Sequence, residues 1–140
     1  EHDYQTASKL RLYAKKFETS IYVCMHASTE ALRKVHPTKH AFEGLPIPPS
    51  GADAEGGGKW INRCDDFITI HRYTQSEMCW MNTYLHIKKV KETETGGAPT
   101  FITSPVEFRL DRGVAFMCGG VNSLEQVSDN SLNDLANKEF

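Results

Sequence analysis

The first hydrophobic residues of the chain recur with the spacing of an α-helix. Within residues 4–17 the apolar side chains fall on one helical stripe, which holds Leu10, Tyr13, Ala14 and Phe17. Most of the basic side chains of this segment lie on other faces, and Asp3 is suited to cap the first turn. The pattern therefore predicts an amphipathic helix over residues 4–17.

Several later segments have the composition of β-strands. Residues 20–27 ("SIYVCMHA") are apolar on both faces, which is typical of a central strand in a parallel sheet that is covered on both sides. A short helix or turn over 59–66 is expected to precede two further strands, at 67–72 and 79–91. After the "GGAP" turn, residues 106–110 are expected to pair back antiparallel. The order predicts an α/β fold, a mostly parallel sheet with flanking helices that ends in an antiparallel hairpin.

Two segments lack such a pattern. Residues 44–58 contain three prolines and five glycines, and a long loop of this kind within a compact domain is usually functional or disordered. Residues 111–140 are polar and mildly acidic, so we expect a weakly ordered tail or a partner-binding helix there. These features divide the chain into a domain over 1–110 and a C-terminal segment over 111–140.

Composition narrows the classes of function. The chain has 140 residues, 39% hydrophobic and 24% charged, which are ordinary values for one soluble domain. Its net charge of −2 gives no global attraction to nucleic acid, so any basic surface must be local. No apolar run is long enough to cross a membrane, and the four cysteines form no CxxC pair, which favours reduced thiols in a cytoplasmic protein. Because the sequence starts at Glu1 without a methionine, we expect it to be a segment of a longer protein.

The segment 85–97 ("LHIKKVKETETGG") places charge on a face that is suited to a core. Side chains alternate along a strand, so one side is expected to hold Leu85, Ile87, Lys89 and Lys91. Two apolar residues are thus followed by two ammonium groups on the same face. Either this end of the face lies in solvent, or an anion binds there.

Two further features are candidates for anion binding. His26 closes the apolar stretch 21–26 ("IYVCMH"), at a position where ligands gather in open α/β sheets. Its imidazole could hydrogen-bond a phosphate, or it could be a core histidine. The run 55–58 ("EGGG") has no standard phosphate-loop spacing, but its glycines allow the backbone to approach an anion closely. A flexible loop tip is the alternative.

Two pairs of polar residues could support metal or acid–base chemistry. His36 and His40 are four residues apart, as two metal ligands on a helix would be, but Pro37 between them favours a solvated loop. Asp65 and Asp66 could bind Mg²⁺ or act as an acid–base pair. A capping role is the alternative, since adjacent side chains ahead of a strand point to opposite faces. No Ser/His/Asp or Cys/His constellation is recognisable by spacing.

Three stretches, taken in order, resemble the C-terminal ATPase domain of the DnaB-type replicative helicases. They are "HASTEALRK", "ADAEGGGKWINRCDDFITIHR" and "LHIKKVKETETGG", and the resemblance covers roughly residues 4–110. It extends to the primase-helicase and twinkle-like relatives carried by phages and prophages of gut Bacteroidales. It implies the C-terminal half of a RecA-like P-loop ATPase core. It also implies a hexameric, ATP-driven 5′-to-3′ DNA helicase in the cytoplasm of a bacterial or phage-infected cell.

The resemblance implies roles for individual residues as well. His26 matches the residue that senses the γ-phosphate. Lys89 and Lys91 match the pair of finger residues that reaches into the nucleotide site of the neighbouring subunit. Single-stranded DNA is expected at the loop that faces the central channel, at Glu55, Gly56, Gly57, Gly58 and Lys59. Structural or coupling positions are matched by Asn62 and Asp65. Lys91 stands where the family usually has Arg, and an ammonium group lacks the planar bidentate fork.

The implied cofactors are ATP and Mg²⁺, with their main ligands outside this segment. The chain has no GxxxxGK[ST] motif and no hydrophobic strand ending in Asp ahead of the first helix, so we expect it to be inactive by itself. Implied partners are single-stranded DNA, further copies of the chain in a hexameric ring, and a primase or helicase loader. Two alternatives stay open. One is a non-catalytic RecA-like module that docks on a helicase or on DNA, and the other is a small metal-dependent nuclease built on His26, His36, His40 and Asp65.

Overall fold

The computed structural model describes residues 2–113 and 115–124. In this part of the chain there are three α-helices: α1 (His2–Lys16), α2 (Gly58–Arg63) and α3 (Thr93–Gly96). The strands are β1 (Asp66–His71), β2 (Asn82–Val90), β3 (Val106–Asp111), β4 (Ala115–Cys118) and β5 (Val121–Asn122). Two 3₁₀ turns, Ala31–Arg33 and Gly51–Asp53, lie in the long segment between α1 and α2.

The N-terminal helix expected over residues 4–17 is confirmed as α1, but its apolar stripe is only partly covered. Tyr13 and Phe17 are each 55% exposed, and their rings contact each other with centroids 4.4 Å apart. The helix is joined to α2 by the guanidinium group of Arg63, which lies 4.0 Å from the centroid of the Tyr4 ring. Of the helices described, α1 included, none has the length and apolar character needed to cross a bilayer.

The sheet is antiparallel throughout, which corrects both the expected mostly parallel sheet and the RecA-like core. Its five strands lie side by side in chain order, and each pairs antiparallel with the next. A parallel neighbour needs a crossover of about a dozen residues, usually a helix. The connections between these strands carry no helix longer than the four-residue α3. The expected hairpin is confirmed, since β3 pairs back onto β2.

Residues 20–27 do not form the buried central strand that their composition predicts. Among the described residues, the β-type pairing of this segment is limited to one isolated antiparallel bridge, between Ala27 and Ala54. Ile21, Tyr22 and Val23 are 38%, 88% and 48% exposed. A two-faced apolar pattern indicates a segment that favours burial, but it does not supply the neighbouring strands on which burial depends.

An irregularity in the β1–β2 ladder changes which side chains share a face. Phe67 pairs with Lys89, and the next residue, Ile68, pairs with Ile87, so Lys88 is an extra residue in β2. Cross-strand partners lie on the same face, whereas consecutive residues lie on opposite faces. Lys89 therefore lies on the side of Phe67. The expectation that Lys89 continues the face of Ile87 is wrong, because the bulge interrupts the alternation.

One face of the sheet carries a small aromatic core. Its buried side chains are Tyr73, Cys79 and Tyr84, with Phe42 and Leu45 packed against them. The rings of Phe42 and Tyr73 stack with centroids 4.2 Å apart. The long proline-rich segment covers this face, and the hydroxyl group of Thr69 in β1 donates a 2.9 Å hydrogen bond to the carbonyl oxygen of Pro49.

The opposite face of the sheet is apolar and partly open. By the strand register it holds Ile68, Ile70, Leu85, Ile87, Val106, Phe108, Leu110 and Phe116. Ile68 and Ile70 in the edge strand β1 are 48% and 69% exposed. The strands expected at 67–72 and 79–91 are thus present, but the first of them is not buried as expected.

The C-terminal segment contributes more than a tail. Within 111–124, strands β4 and β5 extend the sheet beyond β3, joined by a turn at Gly119 and Gly120. The rest of the segment that we expected to be a tail or partner-binding helix, 125–140, lies outside the described residues. The boundary predicted between 110 and 111 therefore falls near the end of β3, within the sheet.

Candidate functional site around helix α2

Helix α2 lies between two groups of the sequence-predicted site residues. It begins after Gly57 and ends at Arg63, where the N–H of Cys64 donates to the carbonyl oxygen of Trp60 at 2.9 Å. The short helix expected over 59–66 is thereby confirmed. Its side chain Ile61 packs so closely on the 3₁₀ turn Gly51–Asp53 that a Cβ at Gly51 would overlap Ile61 Cδ1. Only glycine at position 51 lets α2 sit here without displacing Ile61.

His26 lies close to the glycine run that leads into α2. Its carbonyl oxygen accepts a 3.0 Å hydrogen bond from the N–H of Glu55. Its side chain is exposed and lines an open cavity of about 460 Å³, together with Asp3, Glu55, Gly56 and Trp60 among others. The alternative of a buried core histidine is therefore wrong. The strand at whose end we expected His26 is also absent, because residues 20–25 form no sheet.

The glycine run adopts a backbone that other residues rarely use. Gly56 and Gly57 have φ values of 87° and 70°. The N–H of Gly57 donates to the carbonyl oxygen of Ala54 at 2.7 Å, which closes a turn immediately before α2. The glycines thus set the direction in which the chain enters α2.

The residues expected to bind DNA are divided between this turn and the helix. Gly58 and Lys59 are the first two residues of α2, so they are not part of a loop. The ammonium group of Lys59 lies 3.9 Å from Asp3 Oδ2, and both side chains are about half exposed. Because Asp3 and Glu55 line the same cavity, carboxylates stand next to the cation that we expected to meet a phosphate.

Lys89 binds the other end of α2. Its ammonium group donates hydrogen bonds of 2.7 Å each to the carbonyl oxygens of Ile61 and Cys64. Carbonyl groups at a helix C-terminus lack partners within the helix and carry partial negative charge. The half-buried Lys89 therefore stabilises the end of α2 and ties it to β2. The negatively charged partner expected for Lys89 is thus the partial negative charge at the C-terminus of α2.

Lys91 stays at the surface. Its ammonium group lies 3.3 Å from Asp65 Oδ1 and 3.8 Å from Glu92 Oε1, and its side chain is 44% exposed. Asp65 also pairs with Arg11 of α1, at 3.3 Å. Exposed ion pairs of this kind contribute little stability, so another anion can replace the carboxylate partners of Lys91 at a small cost in free energy. Lys91 is consequently more available than Lys89 to an incoming ligand.

The remaining polar candidates do not assemble into a metal or acid–base site. Asn62 is exposed on α2, and Asp66 is the first residue of β1. Asp65 forms exposed ion pairs with Arg11 and Lys91, and none of the described helices begins at Asp65 or Asp66. Within 2–113 and 115–124, no three His, Cys, Asp or Glu side chains are grouped so as to hold a metal ion. The metal site of a nuclease at His26, His36, His40 and Asp65 is therefore not formed.

A second site, which sequence reasoning missed, is a cleft of about 580 Å³ on the covered face of the sheet. Its floor includes Tyr84, His86 and Lys88 of β2, and we refer to it as the β2 cleft. The feature of the sequence that could have indicated this cleft is the alternation of Tyr84, His86 and Lys88 along one strand, ahead of the bulge. His36 and His40 line the cleft from a turn outside any helix, which confirms the loop, and their rings stack 4.1 Å apart.

Burial shifts the pKa values of three groups that line the β2 cleft, His36, Tyr73 and His86, toward their neutral forms. Burial lowers the pKa of His86 to about 4, and the nearby charges of Lys88 and His71 act in the same direction. Burial and the neighbouring His40 lower the pKa of His36, whose Nε2 lies 2.9 Å from the hydroxyl oxygen of Tyr73. Burial also raises the pKa of that tyrosine to about 12. At neutral pH the cleft thus presents uncharged imidazoles at His36 and His86 and an uncharged phenol at Tyr73.

Comparison of the chain with known protein-family models, with curated proteins and with solved structures finds no match. The resemblance to replicative helicases accordingly stays a prediction.

Proposed function

We propose that this chain is a portion of a hexameric, ATP-dependent DNA helicase, and that α2 connects its DNA-binding residues to Lys89 and to the trans-acting Lys91. The proposal keeps the residue roles that the sequence resemblance implies, except that Lys89 becomes a positioning residue, and it does not keep the RecA-like sheet. The observation that carries it is the position of α2. The helix starts at the glycine run and Lys59, and its last carbonyl groups are bound by Lys89.

The DNA side of the proposal rests on the contact between His26 and the glycine run. Because the N–H of Glu55 donates to His26, a change in the run on binding DNA would move His26 as well. Gly56 and Gly57 allow the backbone to approach a phosphate closely, as residues with side chains would not. Binding of single-stranded DNA here would displace the weak, exposed pair of Lys59 and Asp3.

The part of the proposal that concerns the nucleotide gives Lys89 and Lys91 different roles. Lys89, which is tied to α2, is assigned the positioning of the end of β2. Lys91, two residues further on, is assigned the reach into the neighbouring subunit. Its positive charge would stabilise the charge that develops as the γ-phosphoryl group is transferred. ATP and Mg²⁺ supply the transferred group and charge neutralisation, and their main ligands are assigned to other parts of the protein.

A non-catalytic module that docks on a helicase or on DNA is the second candidate. It is favoured by the open apolar face of the sheet, where Ile68 and Ile70 are exposed on the edge strand. Exposed apolar patches of this kind commonly mark surfaces that associate with other proteins. This candidate requires no ATP site and assigns no chemistry to Lys91.

ATP hydrolysis by the complete natural protein, with and without oligo-dT, distinguishes the two candidates. The helicase proposal expects hydrolysis that rises on addition of the single strand, because DNA at the glycine run acts through α2 on Lys89 and Lys91. Absence of hydrolysis under conditions in which the protein forms rings would contradict it. Co-sedimentation with a separate helicase ring, without hydrolysis by the protein itself, would support the docking module.

A further inference from the structure

The β2 cleft has the dimensions and lining of a ligand site that is separate from the surroundings of α2. Its volume of about 580 Å³ lies within the range of pockets that bind small organic ligands. One wall comes from residues 40–48, which pack beside β1 through the stacked rings of Phe42 and Tyr73. The other wall comes from 102–105, which lead into β3. The cleft is thus a slot with β2 as its floor.

The walls favour a flat ligand. Phe42 is half-buried and aromatic, and across the floor Ile102 and Pro105 present apolar surface. A planar ring between an aromatic and an aliphatic wall buries both of its faces. Such sandwiching is how proteins commonly hold an unstacked nucleic-acid base.

Two residues of the floor, His86 and Tyr84, offer hydrogen bonds without charge. His86 is only 6% exposed, and none of the hydrogen bonds among the described residues involves its ring. A neutral imidazole has one donor and one acceptor nitrogen. The lowered pKa of His86 keeps it neutral at physiological pH, and Tyr84 adds a phenolic hydroxyl group. An aliphatic ligand would leave these groups unpaired, whereas the edge of a base presents matching donors and acceptors.

Charges of both signs complete the lining. Lys88 is suited to a carbonyl or phosphate oxygen of the ligand, and the carboxylate of Glu107 to an exocyclic amino group. Glu107 is held by a 3.0 Å hydrogen bond from Asn82 Nδ2. We propose that the β2 cleft binds one nucleobase, inserted edge-first onto His86 between Phe42 and Ile102. The base belongs either to a free nucleoside or nucleotide or to a single-stranded DNA.

The proposal is independent of helicase activity and is tested by binding alone. Equilibrium dialysis of the complete protein against labelled thymidine and adenosine measures binding of the free base. Photocross-linking with oligo-dT that contains 5-iodouracil, followed by peptide mapping, locates a base of a strand. Cross-links at the cleft without nucleoside binding would identify the strand as the source, and nucleoside binding without cross-links would identify the free ligand.

Two variants on opposite walls test the assignment. Replacing Phe42→Leu is expected to weaken binding by roughly 10-fold, as loss of one stacking contact does. Replacing the 85%-exposed Ile102→Glu is expected to weaken it as well, without risk to the core. The matched control is Leu12→Glu at a 68%-exposed position of α1 that does not line the cleft, which should leave nucleoside binding unchanged. The proposal is overturned if neither probe binds or cross-links at the cleft. It is also overturned if both wall variants bind like the natural protein.

Discussion

Replacing Lys91 with alanine is expected to abolish DNA-stimulated ATP hydrolysis by the complete protein while leaving ATP binding intact. Cations supplied to the transferred group from a neighbouring chain contribute roughly 10³ to 10⁵ in the rate of phosphoryl transfer. Lys91 is suited to this role because exposed pairs with Asp65 and Glu92 hold it, at 3.3 and 3.8 Å. The measurement is steady-state hydrolysis with oligo-dT, beside binding of a labelled ATP analogue.

Lys88→Ala is the matched control for this loss. Lys88 is the extra residue of the bulge and lines the β2 cleft, whereas Lys91 pairs with Asp65 and Glu92. We expect this variant to retain most of the stimulated hydrolysis. Lys91→Arg should also remain active, since a guanidinium group keeps the charge and adds a bidentate fork. Equal losses in Lys88→Ala and Lys91→Ala would remove Lys91 from its assigned role.

Replacing Lys89 with methionine is expected to lower the free energy of unfolding by about 1.5–3 kcal/mol, which is typical of losing hydrogen bonds made by a charged group. Methionine keeps the apolar stem but leaves the carbonyl oxygens of Ile61 and Cys64 without the ammonium group. Denaturation by urea, followed by far-ultraviolet circular dichroism, measures the change.

Lys91→Met is the control for stability, because it removes exposed ion pairs only. Its expected effect is at most about 1 kcal/mol. If Lys89→Met proved as mild as Lys91→Met, the bonds from Lys89 to the end of α2 would contribute nothing measurable. The positioning role of Lys89 would then lose its physical basis.

Local patterns predicted the parts of the fold that local interactions determine. The apolar period of residues 4–17 gave α1, and "GGAP" correctly marked the chain reversal before β3. The prediction of a mostly parallel sheet was wrong for a different reason. Residues 20–27 and 67–72 carry apolar side chains on both faces, but this pattern measures preference for burial and contains no information on pairing partners. The first segment forms no sheet, and the second became an exposed edge strand.

The site depended on features that have no signature in the sequence. One extra residue, Lys88, reverses the alternation of β2 and moves Lys89 to the face of Phe67. That displacement brings Lys89 to the end of α2, a contact between residues 25 and 28 positions apart. The β2 cleft also draws its walls from distant segments of the chain. The sequence therefore indicated which types of residue could form a site, but not which residues would lie next to them in the fold.

The central claim is that Lys91 acts on the nucleotide site of the next subunit, and mixed rings test it most directly. His26→Ala and Lys91→Ala are each expected to lack DNA-stimulated ATP hydrolysis, the first because it removes the imidazole that is assigned to sense the γ-phosphate in its own subunit's site. In rings assembled from equal amounts of the two variants, about a quarter of the interfaces pair an intact His26 with an intact Lys91 from the neighbour. The account predicts that mixing restores stimulated hydrolysis to about this fraction of the natural rate, as expected for head-to-tail interfaces in a ring. Mixed rings as inactive as either variant alone would contradict it.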